Sequence, residues 1–207
     1  ASILDRSLIA YTMAPFEQSP LVNEVVLVLA RDKIVEGLAL KKREGWSKVV
    51  AVCSGGSLRQ ESVLAGLKHL TPCYWVVVHD GARPCLDSEV IESGLEFAEE
   101  TGAAVASVPA TDTIKVVSPQ GLVESTLPRD WLWQVQTPQI FRYDLLLMAH
   151  NSCKGVFTDD AAMVEKIGSP VKVFPGSLDN IKVTTQGDLL WVESFFRQRE
   201  EMTRAVS

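Results

Sequence analysis

The residues best placed to do chemistry in this sequence are His79-Asp80-Gly81-Ala82-Arg83-Pro84, which follow the apolar run Trp75-Val76-Val77-Val78. That run reads as a buried strand, so Asp80 falls just past a strand's carboxyl end, where open α/β sheets bind ligands. A carboxylate there is costly to bury unless it joins a metal or a hydrogen-bond network. Its hard oxygens suit Mg2+, which sits between one or two carboxylates and substrate phosphates. The plainer role for Asp80 is to cap the next turn. Arg83 has the planar fork that grips a phosphate with two hydrogen bonds, or it forms a surface ion pair.

Other segments offer weaker signals. Gly55-Gly56-Ser57 lies between a strand and a helix, where glycines admit a ligand close to the backbone. The hydroxyls of Ser57 and Ser62 can bond a base, although a tight turn with a cap explains the segment by itself. Asp179-Asn180-Ile181-Lys182 sets a carboxylate and a lysine at a late strand, a pattern that a solvated edge strand also shows. Thr126–Asp130 and Gln136–Gln139 follow a hairpin, with Trp131 and Trp133 between them reading as packing residues. Phe157-Thr158-Asp159-Asp160 looks like a helix start capped by Thr158 or Asp159. No GxGxxG, Walker A, HExxH or GxSxG pattern occurs.

The elements that must position these residues follow an α/β rhythm. After a helix at Ser7–Phe16, strands are expected at Asn23–Leu29, Lys48–Cys53, Tyr74–Val78 and Ala103–Val108. Helices at Asp32–Arg43, Arg59–Leu70 and Asp87–Thr101 separate them. Alternation of this kind implies a doubly wound, Rossmann-like and mostly parallel sheet with helices on both faces. The near-continuous apolar strands agree, because parallel strands are buried on both sides. Thr113–Val117 and Leu122–Thr126 flank Ser118-Pro119-Gln120-Gly121, which signals an inserted hairpin arm. A helix from Tyr143, strands at Val171–Phe174 and Asn180–Val183, and a helix at Thr185–Glu201 complete one domain over residues 1–207, with its arm at about 110–131.

Bulk properties narrow the field. A length of 207 residues, 46% apolar and 22% charged, suits one globular α/β domain. The net charge of -6 disfavours a protein that coats nucleic acid. Four scattered cysteines without a CxxC pair, and only three histidines, make a zinc site improbable. Without a disulfide pattern or a signal peptide the expected compartment is the cytoplasm, or a plastid in a plant. No apolar run approaches the ~18 residues of a membrane span.

Taken together, GGSLRQESVLAGL (Gly55–Leu67), VVVHDGARP (Val76–Pro84), ATDTIK (Ala110–Lys115), TLPRDWLWQVQTPQIF (Thr126–Phe141), FTDDAAMVE (Phe157–Glu165) and DNIKVTTQGDL (Asp179–Leu189) resemble the 2-C-methyl-D-erythritol 4-phosphate cytidylyltransferase family, in its order and spacing. The resemblance implies a homodimeric enzyme that joins CTP to a polyol phosphate and uses Mg2+. It implies that Asp80 holds the metal, with Asp179 as a second ligand, and that Gly56, Ser57 and Ser62 read the cytosine. The family often carries Asp where this chain has Ser57. Lys182 would bind phosphate near the reacting centre. Asp80, Arg83, Thr113, Arg129, Thr137 and Thr158 would contact the methylerythritol phosphate and Gly81 would bind substrate, with Lys182, Arg129 and Asp80 catalytic, and Thr113 and Arg129 acting across the dimer through the arm.

The family also opens with a first strand and a glycine-rich loop bearing an Arg and a following Lys, and nothing like it precedes Ile3. The expectation is that a ligand-ordered loop lies outside these 207 residues; a chain that truly lacked it would be nearly inactive. The related ribitol-5-phosphate cytidylyltransferases are the nearest alternative, although Arg129-Asp130-Trp131-Leu132-Trp133 favours the methylerythritol family. A loop-deficient, non-catalytic nucleotide-binding relative is the alternative of a different class.

Overall fold

The structure, a computed structural model, describes residues 1–206, with only the backbone for Thr203, Ala205 and Val206. A short antiparallel bridge of β1 (Ser2–Ile3) and β2 (Arg6–Ser7) leads into α1 (Leu8–Gln18). Then come β3 (Val25–Leu29), α2 (Ile34–Glu44), β4 (Val49–Ser54), α3 (Arg59–Leu67), β5 (Trp75–Val78), α4 (Ser88–Thr101) and β6 (Ala103–Pro109). This is the alternation the sequence implies. The α4 helix stops where Gly102 takes a left-handed conformation at φ 81°, which residues with a Cβ resist. Asp87 stands at its N-cap without a side-chain cap bond, and its carboxylate instead meets Arg199 at 2.8 Å.

The second half departs from the expected pattern. The arm forms as β7 (Lys115–Val117) and β8 (Val123–Thr126), antiparallel to each other. It is followed by a long strand, β9 (Trp133–Arg142), which the periodicity does not reveal. Next come α5 (Tyr143–Ser152), α6 (Asp160–Lys166), β10 (Lys172–Pro175) and α7 (Gln186–Val206). The expected strand at Asn180–Val183 is irregular backbone. Trp131 and Trp133 are not packing residues of this fold, being 84% and 45% exposed.

The larger sheet is mixed, in the order β10-β6-β9-β5. β9 runs antiparallel to both β5 and β6, while β10 is parallel to β6. It follows that β5, β6 and β10 point one way and β9 alone opposes them. β3 and β4 form a separate parallel pair. β9 escapes notice because Gln136, Thr137 and Gln139 are polar yet buried, and because Pro138 interrupts it. Proline has no N–H for a ladder. The structure accommodates it where the β6–β9 register slips between Val105 and Ser107, and where the β5 pairing ends at Val78 opposite Gln139.

The interior is built on the two faces of this sheet. Phe141, Leu146, Met163 and Val164 pack under α5 and α6, and Ile140, Phe174 and Ala98 pack under α4. Burying each large side chain contributes roughly 1.5–3 kcal/mol. A slot of about 1190 Å³ separates the two sheets, lined along one side by Val25–Leu29 and along the other by Trp75–Val78. Asp80, Gly81 and Arg59 also line it.

Candidate active site

β5 delivers Asp80 to the end of the larger sheet. The turn after it is held by a chain of hydrogen bonds. The Asp80 N–H donates to Thr137 Oγ1 at 3.0 Å, and that hydroxyl lies 3.1 Å from His79 Nδ1. The other ring nitrogen, Nε2, lies 3.1 Å from the Arg83 carbonyl. A carbonyl only accepts, so Nε2 carries the proton. The ring is neutral near pH 7, so Nδ1 accepts from the Thr137 hydroxyl. Burial pushes its pKa down to about 4, against smaller upward effects from the Arg83 carbonyl and Asp80. The ring also packs on Phe16, with centroids 5.2 Å apart.

The irregular segment at 179–184 closes over this turn. The Val183 N–H donates to the Ala82 carbonyl at 2.8 Å, and Arg83 Nη1 donates to the Asn180 carbonyl at 2.5 Å. Asn180 is buried, and its amide donates to the Thr137 carbonyl at 2.8 Å. One knot thus joins the end of β5 and the middle of β9 to the approach to α7.

Three cations converge on Asp80. Lys182 Nζ lies 2.9 Å from Oδ2, Arg83 Nε lies 3.7 Å from Oδ2, and Arg59 Nε lies 3.6 Å from Oδ1. Burial alone would raise the Asp80 pKa. Lys182 overcomes it through hydrogen bond and charge, followed by Arg59 and Arg83, and holds the carboxyl below its usual value. Arg83 Nε is buried without a hydrogen-bond partner. A carboxylate ringed by more positive charge than it can neutralise is an anion site.

The glycine turn lies nearby in the chain of contacts. The Gly55 N–H is anchored on the Leu29 carbonyl at the end of β3. A Cβ at Gly56 would come within 2.4 Å of Glu61 Cβ, so this turn requires glycine. Glu61 accepts from the N–H and hydroxyl of Ser57 and from the Leu58 N–H, which starts α3 and orients Arg59. Ser62 Oγ accepts from the Gly56 N–H at 3.2 Å.

The structure brings together Asp80, Arg83 and Lys182, with Thr137 under them and Gly81 exposed beside them. Thr158 is exposed next to Asp159, which caps α6 by accepting from the Ala162 N–H and also receives the buried Gln139 amide at 2.7 Å. Asp179 is exposed. Thr113 and Arg129 lie exposed on the arm side, where Arg129 Nη1 donates to the Thr111 carbonyl at 2.8 Å, and neither is among the ion-pair partners of Asp80. Sequence reasoning assigns no role to Arg59, Asp160, His150 or Asn180. Arg59, Asp160 and Asn180 lie in the motif segments 55–67, 157–165 and 179–189, which is the available signal; His150 gives none.

An α/β fold with a cation-ringed carboxylate beyond a strand end, and a glycine turn ahead of a helix, defines a protein built for phosphate-bearing ligands. The family model described as IspD, 2-C-methyl-D-erythritol 4-phosphate cytidylyltransferase, matches residues 1–198. This chain belongs to that family of nucleotidyltransferases.

The enzyme of that name from Dehalococcoides mccartyi strain CBDB1 is 46% identical over 198 residues, covering 96% of this chain and 87% of the relative. The one from Clostridium acetobutylicum is 39% identical over 95% of this chain and 87% of the relative. The crystal structure of 4-diphosphocytidyl-2C-methyl-D-erythritol synthase from Anaerococcus prevotii matches with a TM-score of 0.87 at 25% identity, over 95% of this chain and 91% of that one. The 2-C-methyl-D-erythritol 4-phosphate cytidylyltransferase from Thermus thermophilus matches with a TM-score of 0.76 at 32% identity, over 95% of this chain and 92% of that one.

Proposed function

We propose that this protein transfers the cytidylyl group of CTP to 2-C-methyl-D-erythritol 4-phosphate, giving CDP-methylerythritol and pyrophosphate. The observation that carries this reading is the Asp80 carboxylate ringed by Lys182, Arg59 and Arg83, in a chain of this family. An oxygen of the 4-phosphate bonds to the α-phosphorus of CTP. The bond from that phosphorus to the bridging oxygen breaks, and its electron pair leaves with pyrophosphate. A phosphate dianion needs no base to deprotonate it, so the residues act by position and charge. Lys182 and Arg83 supply positive charge to phosphate oxygens, and Gly56, Ser57 and Ser62 face the cytosine. Gly81 and Thr158 line the polyol phosphate pocket, and Thr137 holds the turn that forms it.

Mg2+ fits this donor set in a limited way. Among the described residues no group of three His, Cys, Asp or Glu side chains is assembled to hold a metal. One carboxylate among cations does not make a cage, but it suits an ion that arrives on a triphosphate. Asp80, with Asp179 as a second oxygen donor, would hold that ion, which would neutralise phosphate charge.

The exposed apolar residues Val117, Leu122, Val123 and Trp131 support a homodimer formed through the arm, with Thr113 and Arg129 serving the neighbouring site. An extended strand laid in the slot between β3 and β5 would join the two sheets into the single doubly wound, mostly parallel sheet that the strand–helix alternation implies. Among the described residues no helix is long and apolar enough to cross a membrane, and the proposed setting is the cytoplasm of a bacterium.

Incubation with CTP and methylerythritol phosphate, followed by pyrophosphate assay and product mass, tests the reaction. One pyrophosphate per CDP-linked product is expected. Preference for ribitol 5-phosphate would reassign the substrate, and no turnover with either would mean a non-catalytic nucleotide-binding relative.

A further inference from the structure

Behind Asp80 lies a second, deeper set of charged groups. Asp160, the first residue of α6, is fully buried. Its Oδ2 receives Arg59 Nη1, and its Oδ1 lies 2.9 Å from His150 Nε2. The His150 side chain, in the last turn of α5, is 2% exposed. A buried carboxylate persists only with partners of this kind. Arg59 is the first residue of α3, directly after the glycine turn, and its Nε faces Asp80 Oδ1 at 3.6 Å. The two Asp80 oxygens are thus told apart: Oδ1 faces Arg59, and Oδ2 faces Lys182 and Arg83.

We infer that Arg59, anchored by the buried Asp160–His150 pair, is a positioning residue that fixes the direction of the Asp80 carboxylate and ties it to the glycine turn. The guanidinium is planar and its donors are fixed relative to one another. Seating Nη1 on an immobile carboxylate therefore sets where Nε points. Asp160 cannot move because α6 begins at it, Gln139 holds the preceding Asp159, and His150 holds its other oxygen. A lysine carries all its donors on one freely rotating nitrogen, so it would not fix the direction of a second contact as Nη1 and Nε do here. An ion pair retained for stability alone would not need to face two carboxylates at once. In this way α5, α6 and α3 are made to serve one oxygen at the end of β5.

The inference deepens the proposed transfer reaction and rests on it for its kinetic test only. Crystal structures and steady-state kinetics of Arg59→Gln, Arg59→Lys, Asp160→Asn, His150→Leu and His150→Gln form the experiment. If Arg59→Gln fails to fold around an unpaired Asp160, Arg59→Gln/Asp160→Asn replaces it with a neutral pair. The Asp80 carboxylate is expected to turn from its wild-type direction in Arg59→Gln or the double variant. Loss of a supporting partner typically lowers activity about 10- to 100-fold, and here the loss should fall on kcat more than on the KM for CTP. Arg59→Lys should not restore kcat. His150→Gln, which keeps a donor for Asp160, should recover most of what His150→Leu loses. An unmoved Asp80 in the crystal, or an unchanged kcat in Arg59→Lys, would overturn the inference. If the wild type turns over no CTP, the functional reading fails, while the crystal structures still decide the positioning role.

Discussion

Replacing His79 with Gln should flatten the dependence of folding stability on pH below neutrality. The neutral ring donates from Nε2 to the Arg83 carbonyl and accepts from Thr137 at Nδ1. A second proton at Nδ1 would confront a hydroxyl that already donates there, inside a packed setting. Burial thus drops the pKa from 6.5 to about 4. The sign follows directly. Between these values the unfolded chain binds a proton that the folded chain refuses, so stability is present above the unfolded pKa and is lost as pH falls toward the folded one. The steepest slope from this one group is about 1.2 kcal/mol per pH unit, and the loss from about pH 7.5 to about pH 5 is about 2 kcal/mol. That figure belongs to a ring fully shut from water. The His79 residue retains some accessible surface, and water at its edge reduces the loss. Urea unfolding at a series of pH values, with constant m, measures it. The wild-type curve should fall more steeply than that of His79→Gln between about pH 6.5 and about pH 4.5. Parallel curves would refute both the neutral tautomer and the hydrogen-bond chain built on it.

Two further outcomes follow from the fold and the proposed dimer. Gly94→Ala would bring a Cβ within 2.5 Å of Ile140 Cδ1 and 2.6 Å of Phe174 Cζ, so it should cost about 1–3 kcal/mol, read from the urea midpoint. Arg129→Ala should cut turnover strongly, and mixing it with Asp80→Ala should recover about a quarter of wild-type activity, since half the dimers would each hold one intact site. No recovery on mixing would end the idea of a site shared between subunits.

The motifs carried the family, and local pattern carried most of the first half of the fold. An apolar run ending at Val78 forced Asp80 to a strand end, and Gly55-Gly56 ahead of α3 forced a turn there, because period and turn chemistry are local properties. β9 was invisible for the complementary reason. Its polar residues are buried against specific partners, Gln139 on Asp159 and Thr137 on Asp80, and periodicity registers polarity without registering satisfaction. The mixed order of the sheet was lost with that strand, because β9 is what separates β5 from β6. The sequence by itself determined which carboxylate would stand at the end of β5 and singled out Arg83 and Lys182 as phosphate-binding cations. Only the tertiary structure decided that Arg59 would meet an aspartate 101 residues away and that His150 would hold that aspartate from behind. Such pairings depend on where three helices start and stop around one sheet, and no spacing along the chain encodes that.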